Sequence, residues 1–147
     1  MPKPARKPAV GPSLQSLLSE ASRRATADLE RVLGPEGVPV EFWRVLEVLA
    51  DESGRPMSAL AEALSMKLPS LSKLIDRMVA SALVQRAPDP LDQRRVLVYI
   101  SDLGLARVRQ LQGTVRRQRS SLESSLGRDE GRELKRLLEA FIREQRS

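Results

Sequence analysis

Residues Pro56 to Ser101 read PMSALAEALSMKLPSLSKLIDRMVASALVQRAPDPLDQRRVLVYIS, and two short helical patterns followed by a change of period decide the fold. Met57 to Leu64 is the first helix. Pro69 to Ala82 is the second, with Leu71, Leu74, Ile75, Met78 and Val79 at helical spacing along one face. Only Ser65-Met66-Lys67-Leu68 lies between them, the short connection of a helix-turn-helix. Beyond Ala82 the pattern turns to strands. Leu83-Val84-Gln85-Arg86 and Val96-Leu97-Val98-Tyr99-Ile100 are short apolar runs rich in β-branched residues. Ala87 to Arg95 between them is a polar, basic loop with Pro88, Asp89 and Pro90 near its start. The expected structure is a helix-turn-helix followed by a β-hairpin of wing type.

A helix-turn-helix reads DNA because a helix fits the major groove, about 12 Å wide, where each base pair shows its own pattern of donors and acceptors. The second helix needs short polar or cationic residues outside and apolar ones behind. Here Pro69, Ser70, Ser72, Lys73 and Arg77 form the outer face, with Lys67 just before it, and Leu71, Leu74, Ile75 and Met78 form the buried stripe. The hairpin strengthens the reading. Arg94-Arg95 closes its loop, Gln93 precedes them, and Arg86 stands on the first strand. Arginine exploits the negative potential of a narrow minor groove. Asp92, two residues from Arg94, is placed to pair with it and hold the loop in shape.

Towards the N-terminus, Ser13 to Leu33 carries Leu14, Leu17, Leu18, Ala21, Ala25, Leu29, Val32 and Leu33 at spacings that predict an amphipathic helix ended by Gly34-Pro35. Val40 to Asp51 is a second helix and Ser53-Gly54-Arg55-Pro56 a turn. After the hairpin, a long helix is expected from about Leu103 to Leu126, capped by Ser101 or Asp102, with Gly113 as a weak point. Gly127 breaks it. A last helix covers about Asp129 to Glu144. The fold class is α+β, predominantly helical: one domain over residues 13–147, with a winged core at about 40–101 and flanking helices at about 13–33 and 103–145.

The composition agrees and removes alternatives. The chain has 147 residues, 41% hydrophobic and 30% charged, enough for a packed core, but only 3% aromatic, so that core is built from Leu, Val and Ala. Twenty-five Lys and Arg against 19 Asp and Glu give a formal charge of +6, which favours a polyanionic partner. Cys and His are both absent, which excludes disulfides, thiol chemistry, the commonest metal ligands and the usual general base near neutral pH. No metal, cofactor or enzymatic activity is expected. No apolar run reaches the ~20 residues of a membrane span, and no secretory leader is expected. The Pro-rich opening residues 1–12, with Lys3, Arg6 and Lys7, read as a disordered basic tail.

A single recognition helix covers too little DNA for specific binding at cellular salt, so such modules pair on palindromic sites. The apolar faces of the first and last helices exceed what the winged core needs. Leu14, Leu17, Leu18, Leu137, Leu138, Phe141 and Ile142 are therefore candidate dimer contacts.

Leu60-Ala61-Glu62-Ala63-Leu64, Pro69 to Met78 and Leu83-Val84-Gln85-Arg86, followed by Asp92-Gln93-Arg94 and by Val96 to Ser101 with Gly104, together resemble the MarR family of bacterial transcriptional regulators. The resemblance covers about 45 residues by motif and nearly the whole chain by helix layout. It implies that Ser70, Ser72, Lys73 and Arg77 occupy recognition-helix contact positions, that Arg94 is the wing arginine of the minor groove, and that Asp92 steadies it. It also implies a homodimeric regulator, a repressor, released by a small lipophilic or phenolic anion bound between the dimerisation helices and the winged core; the absence of cysteine fits a cytoplasmic location. Phe42, Trp43 and Arg44 are the candidates here for such a pocket. Two positions depart from the family pattern: Ala82 stands where glycine is usual and Lys67 where a Ser or Thr cap is usual. The alternative is a helical interaction protein with a winged fold that does not bind DNA specifically.

Overall fold

The computed structural model describes residues 1–5 and 10–146. The tail cations Arg6 and Lys7 lie outside the described residues, and Lys3 is exposed. The element order is α1 (Leu14–Leu33), a 3-10 turn (Gly34–Glu36), α2 (Val40–Leu49), β1 (Arg55–Pro56), α3 (Met57–Leu64), α4 (Leu68–Ala80), β2 (Val84–Asp89), β3 (Asp92–Ile100), α5 (Asp102–Ser124) and α6 (Arg128–Gln145). The three strands form one antiparallel sheet in the order β1-β3-β2.

Two differences from the sequence reading concern the sheet. Arg55-Pro56, expected as turn, forms a short edge strand opposite Val98 and Leu97. The hairpin is also longer than expected: Ala87 to Asp89 and Asp92 to Arg95 belong to strands, leaving only Pro90-Leu91 at the tip. Both strands run out of the core at this end, so neither face of the ribbon is buried and no alternation marks it. Pro88 is tolerated because β2 is an edge strand.

The core lies where α2, α3 and α4 meet the sheet and the start of α5. Leu46, Leu49, Leu60, Leu71, Ile75, Met78 and Val98 are fully buried. Trp43 is also buried, and its indole N–H has no hydrogen-bond partner among the described residues. Val108, Leu111 and Val115 bury the inner side of α5, which packs against α1 and α2. Arg119 Nη2 donates to Glu47 Oε1 at 2.6 Å, and Arg107 donates to the Glu36 carbonyl, fastening α5 to α2 and the 3-10 turn. Ser101, not Asp102, caps α5: its Oγ accepts the Gly104 N–H at 3.0 Å and donates to the Ala82 carbonyl at 2.6 Å.

Turn chemistry explains the ends of the two central helices. Ser65 (φ 52°) and Ala82 (φ 60°) are both left-handed, and Met66 and Leu83 return their N–H groups to the Ala61 and Met78 carbonyls. A β-carbon in this region costs about 1–2 kcal/mol, which gives glycine its advantage at position 82. Ala82→Gly is expected to stabilise the protein by about 0.5–1 kcal/mol, after the greater chain entropy of glycine is subtracted. A urea midpoint unchanged or lowered by the substitution would refute this.

Helix α6 differs from the rest. None of its residues is buried. It turns back on α5 through Gly127 (φ 100°) and a close approach at Gly131, where a Cβ would overlap the Glu123 carbonyl oxygen. On its polar side Arg136 hydrogen-bonds Glu133, which lowers the Glu133 pKa and raises that of Arg136. Its apolar side carries Leu134, Leu137, Phe141 and Ile142, all exposed, with Leu138 half-buried. Leu14 and Leu17 of α1 are likewise exposed and Leu18 half-buried.

Candidate nucleic-acid interface

The recognition helix α4 begins one residue earlier than its sequence pattern suggests. Lys67 is extended (φ −78°, ψ 144°) at the N-cap, and Leu68 and Pro69 open the first turn, where proline has no helical N–H bond to lose. The Lys67 side chain makes no capping bond. The helix end therefore keeps free N–H groups and a cation beside them, an arrangement suited to a phosphate. Pro69, Ser70, Ser72 and Lys73 are exposed on the outer face, while Leu71, Leu74, Ile75 and Met78 turn inward.

Two further cations expected at the interface, Arg77 and Arg86, are engaged within the protein. Arg77 Nη1 lies 3.2 Å from Glu41 Oε1, and its guanidinium carbon is 5.1 Å from the centroid of the Phe42 ring. Arg86 Nη2 lies 2.7 Å from Asp76 Oδ1, joining β2 to α4. Neither acid stands out in the sequence. Glu41 and Arg77 are 36 residues apart, a separation at which no local pattern pairs charges.

On the wing, Asp92 Oδ1 accepts the backbone N–H of Arg94 at 3.1 Å and the Arg94 Nε at 3.3 Å. The Arg94 side chain is nevertheless 93% exposed, so the carboxylate orients the guanidinium without covering it. Gln93 and Arg95 are exposed on the same strand. The tip is closed by Asp89 Oδ1 accepting the Leu91 N–H at 2.9 Å, and Leu91 is 95% exposed. At the other side of the sheet, Asp51 accepts from the Ser53 N–H and from Arg55, and these bonds lower its pKa, the Ser53 bond most.

The three candidate pocket residues separate. Phe42 and Trp43 are packed into the core, because they follow the buried stripe of α2 with Val45, Leu46 and Leu49. Arg44 points the other way. Its Nη2 lies 3.3 Å from Thr26 Oγ1, and it lines an open groove of about 530 Å³ between α1 and α2 with Glu30, Val38, Val40 and Glu41.

Known proteins share this arrangement. Residues 36–95 match the family model described as the MarR family. The HTH-type transcriptional repressor IacR of Pseudomonas putida is 30% identical over 85% of this chain and 75% of its own length. The homoprotocatechuate degradative operon repressor of Escherichia coli is 25% identical over 88% of both chains. Among solved structures, a mutant MarR from E. coli complexed with operator DNA superimposes with a TM-score of 0.77, at 26% identity, over 88% of this chain and 93% of that one. With a helix-turn-helix, a projecting arginine wing and relatives of this kind, the chain belongs to the MarR family of DNA-binding transcriptional regulators.

Proposed function

We propose that the protein is a cytoplasmic, non-enzymatic repressor that binds a palindromic operator as a homodimer. Helix α4 enters the major groove with Ser70, Ser72 and Lys73, Lys67 meets a phosphate, and the ribbon lays Arg94 in the flanking minor groove. The observation that carries this reading is Arg94: almost wholly exposed on a projecting ribbon, yet held by a carboxylate two residues away. The exposed apolar stripes of α1 and α6 support the dimer. A small lipophilic or phenolic anion is the proposed releasing ligand. The groove between α1 and α2 supports it with one guanidinium, Arg44, beside the apolar wall of Val38 and Val40.

Selection of bound fragments from random DNA, followed by footprinting, tests the reading. A two-fold symmetric site is the expected result, and binding without sequence preference would overturn it in favour of an interaction protein. Arg94→Ala and Lys73→Ala should each weaken binding to the selected site by about tenfold or more. Where a substitution removes a phosphate contact, the slope of log affinity against log salt should fall by about 0.9. Unchanged affinity in both variants would show that these residues do not form the interface.

A further inference from the structure

We infer that Arg77 is a positioning residue, which fixes the rotation of the recognition helix about its own axis through Glu41 and does not itself read DNA. This rests on the DNA-binding reading above. The guanidinium of Arg77 is drawn back to the first turn of α2, with Glu41 Oε1 at 3.2 Å on one side and the Phe42 ring at 5.1 Å on the other. Phe42 is 7% exposed and set in the core, so this second support is rigid. The preceding residue, Asp76, makes the opposite attachment, to Arg86 on the wing at 2.7 Å. Successive residues on a helix point about 100° apart. Two adjacent side chains of opposite charge therefore tie α4 to different elements, α2 and β2. Rotation in either direction stretches one of the two pairs. The recognition side chains Ser70, Ser72 and Lys73 lie one to two turns away on the same helix, so their aim follows that rotation.

The groove adds a consequence of place. Glu41 lines it beside Arg44, so this ion pair stands between the groove and the recognition helix.

The test uses the sign of a charge effect. Glu41→Gln removes a negative charge from a DNA-binding protein, which general electrostatics expects to tighten binding. The positioning role predicts the reverse. Glu41→Gln, Arg77→Gln and the double variant are titrated on the selected operator and on unrelated DNA, across a salt series, with thermal midpoints measured alongside. Glu41→Gln is expected to weaken operator binding by about fivefold while binding to unrelated DNA is unchanged or slightly tighter and the salt slope is unchanged. The double variant should match Arg77→Gln within about twofold, as two residues acting through one contact are not additive. Both side chains are more than half exposed, so the thermal midpoints should move little. If Glu41→Gln binds the operator equally or more tightly, or if Arg77→Gln lowers the salt slope by the roughly 0.9 that one phosphate contact carries, the inference fails while the DNA-binding reading stands. If the unaltered protein shows no preferred sequence, that reading fails first and the inference with it.

Discussion

Gly104→Ala is expected to destabilise the protein by about 2–3 kcal/mol, although the same substitution within a helix ordinarily gains up to about 1 kcal/mol. Gly104 lies in the first turn of α5, buried where that helix leaves the sheet. A Cβ there would overlap the Leu83 carbonyl oxygen and stand 2.8 Å from Ile100 Cγ1 and 3.2 Å from Leu46 Cδ2. The oxygen cannot move aside cheaply, because it accepts the Ser101 N–H at 3.0 Å, and Ser101 in turn caps the helix. The strain thus reaches the cap, the strand and α2 together. For a domain of this size the loss corresponds to a fall in Tm of roughly 5–10 °C. Gly113→Ala is the internal comparison. It lies in the same helix with nothing nearer its Cβ position than Arg117 Nη1 at 3.8 Å, and it should raise stability by about 0.5–1 kcal/mol. Urea unfolding of both variants decides the matter: shifts of the same sign would mean that the crowding at Gly104 is relieved by movement of Leu83.

The second large effect is on assembly. Leu137→Glu combined with Phe141→Lys should convert the proposed dimer to a monomer and lower operator affinity about a thousandfold, to the level of binding to unrelated DNA. Helix α6 has 18 residues and buries none of them, although helices in proteins draw most of their stability from packing an apolar face. Leu134, Leu137, Phe141 and Ile142 remain between 39% and 53% exposed. Covering them against a second copy would contribute about 1 kcal/mol or more for each side chain. The chosen pair introduces an i,i+4 Glu–Lys contact, which supports the helix itself. Loss of association is thereby separated from loss of helix. Sedimentation equilibrium, circular dichroism and operator titration together read the result. A variant that stays dimeric, or one that becomes monomeric and still binds its operator at full strength, would refute the assigned interface.

The central helices are legible in the sequence because each buries one face: α3 spans Met57–Leu64 in pattern and in structure alike, and the apolar stripe of α4 is the buried one. The wing is half legible. Val98 and Ile100 announce a strand because they enter the core, whereas Ala87 to Arg95 lie on a ribbon with two solvated faces and present no period. The two-residue β1 is too short to have one. At the interface, Asp92 and Arg94 are legible because the contact between them is local. Arg77 and Arg86 are recognisable as cations on the right elements, but their partners, Glu41 and Asp76, are brought to them only by the folded chain.

The burial of Trp43 also determines what can be seen of the protein in solution. It is the only tryptophan in the chain, it is 1% exposed, and it sits on α2 in the winged core, away from the α6 stripe. Intrinsic fluorescence therefore reports on one place. Its emission is expected to be that of a buried indole in an apolar surrounding, shielded from aqueous quenchers, and to change when the core opens. Separation of two subunits along α6 would leave that emission unaltered, so fluorescence and hydrodynamic measurements distinguish dissociation from unfolding without any added label.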